Sequence, residues 1–223
     1  MRHNLRSRLA FVMMIVVGLT AMVATAALAD SSGPRNAGTG TSVSAGSGTS
    51  AWTNPGNITT VGSPYATVNL PSGGTTQYLQ GTNYGFTIPA GATINGITVV
   101  INRQSNSFFI TDSTVRLLKA GALVGSNLAS GTTWPTNSFA TATYGDTANL
   151  WGTTWTPADI NNTNFGVALS AVSSSPLSRT LDVDYIQVTV TYSVNNTTTG
   201  VSCGGGTPVV TYGSSIACWQ LLQ

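Results

Sequence analysis

From Trp52 to Tyr192 apolar side chains recur at every second position, and almost nowhere at the spacing of a helix. Ala66, Val68 and Leu70 alternate with Thr67 and Asn69, and Tyr84, Phe86 and Ile88 alternate up to Pro89. Ile97, Val99 and Ile101 follow, then Val115 and Leu117 about Arg116, then Phe165, Val167, Leu169 and Ala171. Ile186, Val188, Val190 and Tyr192 close the series. Successive strand side chains point to opposite faces, so this pattern buries one face and wets the other. About eight or nine such runs over roughly 140 residues, without intervening helices, predict an all-β fold of two packed antiparallel sheets, and eight strands in two sheets is the jelly-roll number.

Two local signals refine this. Lys119-Ala120-Gly121-Ala122 predicts a tight hairpin. Thr156-Pro157-Ala158-Asp159 has the order of a helix start, with a capping hydroxyl, proline at the first helical position and an acid two residues on, and predicts a single turn.

The N-terminus predicts export. Arg2, His3, Arg6 and Arg8 precede an apolar run from Leu9, and Ala27-Leu28-Ala29 gives a small-x-small cleavage pattern, so residues 1–29 are expected to be a signal peptide. Cleavage would remove the sole histidine and three arginines. The formal charge of the whole chain is +2. Residues 30–223 keep five basic side chains against six acidic ones, a net −1. That balance argues against nucleic acid or an anionic membrane surface as partner. The loss of histidine also removes the usual base for a serine nucleophile.

Residues 30–50 are rich in glycine, serine and threonine and predict a flexible linker ahead of a sandwich domain at 51–193. Residues 194–223 predict a polar hinge and a short C-terminal β extension, too small to hold a core alone. Cys203 and Cys218 are the only cysteines, and in an exported chain they are expected to form a disulfide.

Two groups of side chains are candidates for ligands. Trp134, Trp151, Trp155 and Tyr144 gather in an irregular stretch; they either stack sugar rings on exposed faces or pack the end of the sandwich. Asp182 and Asp184, two apart on a strand, either bind Ca²⁺ together with Asp112 or accept hydrogen bonds from loop amides. Otherwise no cofactor is expected. An Asp pair running glycoside hydrolysis would need a pocket to raise one pKa.

The string Ala51-Trp-Thr-Asn-Pro55, Tyr84-Gly-Phe-Thr-Ile-Pro-Ala-Gly-Ala-Thr-Ile-Asn-Gly-Ile97, Leu150-Trp-Gly-Thr-Thr-Trp155 and Val183-Asp-Tyr-Ile186 resembles uncharacterised secreted bacterial and phage-associated jelly-roll-like sandwich domains. Those are similar in architecture to carbohydrate-binding jelly rolls, which implies a structural calcium. Val201-Ser-Cys203 with Pro208-Val-Val-Thr-Tyr212 and Cys218 resembles the first two strands of bacterial Ig-like repeats. Together these features predict a secreted, non-catalytic structural or adhesive module at a bacterial surface or matrix, with surface glycans or other surface proteins as partners and an undefined oligomeric state. The alternative is a carbohydrate-binding module using the loop tryptophans, and a less favoured one is a polysaccharide hydrolase. Tryptophans open on one loop face favour sugar binding; buried tryptophans with unpaired sheet edges favour assembly.

Overall fold

The alternating runs pair into two antiparallel five-stranded sheets in a computed structural model that describes residues 28–194. The strands are β1 (Leu28–Asn36), β2 (Thr39–Val43), β3 (Ala66–Leu70), β4 (Tyr78–Thr82), β5 (Ala92–Ser105), β6 (Ile110–Lys119), β7 (Ala122–Val124), β8 (Ala140–Tyr144), β9 (Gly166–Ser173) and β10 (Arg179–Val194). One sheet has the order β1-β10-β5-β8, with β3 also pairing β10; the other has β2-β4-β9-β6-β7. Strands β3 to β10 therefore nest outside-in: β3 pairs β10 in one sheet and β4 pairs β9 in the other. This is the wiring of a jelly roll.

Burial follows the sequence period. On β5, Ile97, Val99 and Ile101 are fully buried, while Thr98, Val100 and Asn102 between them are only partly covered. They meet Val115, Leu117, Val167 and Leu169 of the facing sheet in one continuous core. The expected hairpin joins β6 to β7, with Ala120 and Gly121 both at positive φ (49° and 85°). The expected helical turn is α1 (Pro157–Asn161), capped reciprocally by Thr156 and Asp159.

Two expectations are corrected. Residues 30–50 do not form a free linker: they supply most of β1 and all of β2, one at the margin of each sheet. Both strands lack a buried apolar stripe because they are edge strands held by main-chain pairing, to β10 and β4 respectively. The Tyr84–Ile88 run alternates in sequence but joins no sheet. It crosses from one sheet to the other, and the Asn161 side chain supplies the pairing, donating to the Ile88 carbonyl (2.8 Å) and accepting from its N–H (2.7 Å). Residues 1–27 of the expected signal peptide, and the expected hinge, Ig-like segment and Cys203–Cys218 disulfide from residue 195 onward, lie outside the described residues.

In that crossover Tyr84 packs beside Phe86 and Phe165, and burial pushes its hydroxyl well above the usual tyrosine range. The hydroxyl is enclosed with no partner among the described residues. Desolvating an unpaired hydroxyl is costly, so Tyr84→Phe is expected to raise stability by about 1 kcal/mol in urea titration; a loss of stability would mean the hydroxyl is satisfied.

Candidate functional site

Arg103 continues the inward parity of Ile97, Val99 and Ile101, so β5 carries a guanidinium into the interior. From the opposite sheet, Asp112 follows Ile110 inward on β6 before a bulge shifts the register at Thr114. The two form an ion pair between the sheets, with side chains 3% and 0% exposed. Asp112 takes three further donors: Trp134 Nε1 (2.9 Å), the Tyr144 hydroxyl (2.8 Å) and the Ser130 N–H (3.0 Å). Arg103 also donates to the Tyr144 oxygen and lies over the Trp134 ring, 4.8 Å from its centroid. Burial first, then neighbouring Asp112, pushes the Tyr144 hydroxyl well above its usual range, so it remains a donor to the carboxylate.

The four aromatic candidates are thus interior groups. Trp134, Trp151, Trp155 and Tyr144 are 1%, 0%, 7% and 5% exposed. Each indole N–H is used within the fold: Trp134 to Asp112, Trp151 to the Ile97 carbonyl (2.9 Å) and Trp155 to the Leu150 carbonyl (3.1 Å). A sugar needs an open ring face, which none of the four offers; their area is spent on packing.

The three carboxylates considered for calcium are not brought together. Asp112 lies between the sheets with both oxygens already committed. Asp182 accepts from Thr67 Oγ1 (2.8 Å) and Gln104 Nε2 (3.1 Å), and Asp184 from the Gly62 N–H (2.7 Å) and Asn102 Nδ2 (3.1 Å). A bulge between Val183 and Tyr185 separates the pair in register. No group of three acidic, His or Cys side chains able to hold a metal occurs among the described residues, so the donor set does not fit calcium. Asp159 is no raised-pKa acid either. Its partial burial alone would raise it, but the Thr156 N–H and hydroxyl and Lys119 together hold it below the usual carboxylate range.

The structure also presents a cleft beside the Arg103–Asp112 clamp. Residues 126–134 run along β6 as an irregular edge, bonded through the Leu128 N–H to Val115 and the Trp134 N–H to Ile110. The other sheet ends at β8, which pairs only with β5. Between these two margins opens a cleft of about 550 Å³, with Arg103 and Tyr144 among its lining residues. One wall carries Ser130, Thr132 and Thr133. The other is the edge of β8, where Ala140, Ala142 and Tyr144 share the inward face while Thr141 and Thr143 pair with Asn102 and Val100 and face outward. The turn after β8 adds Asp146 and Asn149. Asp146 and Asn149 each use one oxygen to hold that turn, through the Ala148 and Trp151 N–H groups (both 2.7 Å). Their remaining side-chain polar atoms, and the Thr133 hydroxyl, make no hydrogen bond within the described residues. The charge of Arg103 is matched by Asp112, leaving Asp146 as the one unmatched charge on the lining.

Sequence reasoning did not single out these wall residues. Thr141 and Thr143 alternate with Ala142 and Tyr144, a visible strand signal, but nothing local says that the strand lies at an open edge. That follows only from where β5 and β6 place their margins.

No protein-family model matches the chain, and neither does any curated protein. Two solved structures are similar at the level of the sandwich. A CBM4 structure is 17% identical, covering 56% of this chain and 82% of that one, with a TM-score of 0.36. The N-terminal cellulose-binding domain of Cellulomonas fimi β-1,4-glucanase C is 11% identical, covering 71% of this chain and 92% of that one, with a TM-score of 0.38. Neither likeness is close enough to assign a site. Among the described residues no helix is long and apolar enough to cross a membrane.

Proposed function

We propose that this chain is an exported, non-catalytic module that binds an uncharged glycan in the cleft beside β8. The observation that carries the reading is the lining itself: hydroxyl, amide and carboxylate groups not consumed by the fold, set along a free strand edge. Sugar hydroxyls both donate and accept, and threonine hydroxyls, an asparagine amide and strand-edge main chain answer both needs. A volume of about 550 Å³ is in the range of specific small-ligand clefts. With the guanidinium already paired, an anionic sugar gains no free cation there, which favours a neutral one.

A panel of immobilised neutral and acidic glycans tests this. Binding to neutral members is expected, weakened roughly tenfold by Thr132→Val with Thr133→Val, which removes two hydroxyls from the cleft lining and keeps their shape. A blank panel, or binding confined to acidic glycans, contradicts the reading.

The buried tryptophans and the free edge of β8 favour a second reading, a structural module that assembles edge to edge. The other margins are blunted: β1 carries Pro34 and a bulge, β7 is three residues long, Thr53 bridges the outer side of β3, and the 55–59 turn lies against Gly40 of β2. Sedimentation over a wide concentration range separates the two, since a monomer throughout removes the assembly reading.

A further inference from the structure

Phe108 is the one aromatic residue among those described that is mostly exposed, at 65%. It sits at the tip of the β5–β6 loop, stacked at a tilt on Phe109 with centroids 4.5 Å apart. Both roots of that loop are bonded to the segment that ends the cleft. The Ser105 N–H donates to the Pro135 carbonyl (2.9 Å), the Asn137 N–H to the Ser105 carbonyl (2.8 Å), and the Trp134 N–H to the Ile110 carbonyl (2.8 Å). Pro135 itself lines the cleft. The loop is held from its other side too, because Ser174 N–H and the Phe109 carbonyl pair at 3.0 Å, and Asn106 N–H and the Thr180 carbonyl at 3.0 Å. The loop that carries the ring is therefore braced on both sides, and one of its braces, Pro135, lines the cleft.

Leaving a phenylalanine at 65% exposure on a braced loop keeps in water apolar area that an inward rotamer would bury and a polar residue would not present. A pyranose offers hydroxyls at its rim and an apolar C–H face, and an aromatic ring is the complement of that face. On the same pair of loops Asn106, Ser174 and Ser178 are uncharged and polar, and Leu177 is a second exposed apolar side chain, at 62%.

We infer that Phe108 is the stacking platform of this module, extending the cleft by a further sugar unit, so that the ligand is a chain passing along β8 and out over the β5–β6 loop. The inference rests on the glycan reading above. It moves the aromatic role from the tryptophans, which the fold consumes, to a residue the sequence pattern did not mark.

Affinity electrophoresis in gels containing hydroxyethylcellulose, xylan, mannan or β-1,3-glucan, together with phosphatidylcholine vesicle sedimentation, tests it. Phe108→Ala is expected to weaken retardation by the retained polysaccharide roughly five- to tenfold, with Phe108→Trp restoring it. Di- and trisaccharides of the same polymer, which the cleft alone accommodates, should bind both proteins equally. Weakening by the Thr132/Thr133 pair but not by Phe108→Ala overturns this inference and leaves the cleft standing. Retardation by no polysaccharide overturns both. Vesicle binding lost in Phe108→Ala with polysaccharide affinity unchanged overturns it in favour of a lipid contact.

Discussion

Replacing Asp112 with alanine is expected to lower the stability of the folded chain by about 3–5 kcal/mol, read from denaturant midpoints. The carboxylate is the shared acceptor for Arg103, Trp134, Tyr144 and the Ser130 N–H. Its removal leaves a guanidinium buried between the sheets without a counter-charge, and that uncompensated charge is the larger part of the loss. Arg103→Met in the same background should recover much of it, because an apolar pair of similar volume avoids both desolvation penalties. If Asp112→Ala costs less than about 1 kcal/mol, water reaches the pair and the clamp is not buried as described. The clamp also shapes the cleft, since Arg103 and Tyr144 are among its lining residues.

Trp151→Ala is expected to cost a similar amount, about 3–5 kcal/mol, through cavity formation. The indole is fully buried, and its N–H satisfies the Ile97 carbonyl. Its backbone lies at φ 59°, and its N–H and carbonyl are held by Asn149 Oδ1 and the Ser126 N–H. Gly145, at φ 66°, packs so closely that a Cβ there would strike both the Ile97 carbonyl and the indole nitrogen. Trp151→Phe keeps most of the volume and loses the hydrogen bond, so it should cost clearly less. Equal losses for the two variants would mean that the hydrogen bond, not packing, dominates. Because the same turn carries Asp146 and Asn149 at the end of the cleft, Trp151→Ala should weaken glycan binding along with stability.

The architecture was legible where burial is one-sided. The parity of Ile97, Val99 and Ile101, or of Ile186, Val188 and Val190, records a face packed on a core, and both runs appear as strands. The signal fails at margins and crossovers. β1 and β2 read as linker because edge strands are held by main-chain bonds that leave little trace in side-chain type. The Tyr84–Ile88 run read as a strand because an extended crossover between two sheets buries alternate residues as a strand does. At the candidate site the tryptophans stood out by size, and size is why the interior holds them. Thr132, Thr133 and Phe108 depend on where two sheet margins and one loop meet in space, which no local pattern encodes. Arg103 looks like an ordinary polar position, and Asp112 like a candidate calcium ligand, until parity and a bulge turn both inward.

The most direct test of glycan binding beside β8 is a two-dimensional NMR titration of isotope-labelled protein with the neutral glycan bound most tightly on the panel. The amides of 128–135 and 140–149 should shift in a saturable way, followed by those of 106–109 only when the glycan chain is longer than the cleft. Shifts confined to the outer face of the β10 sheet around Asp182–Gln187, or no saturable shift with any neutral glycan, would contradict the account.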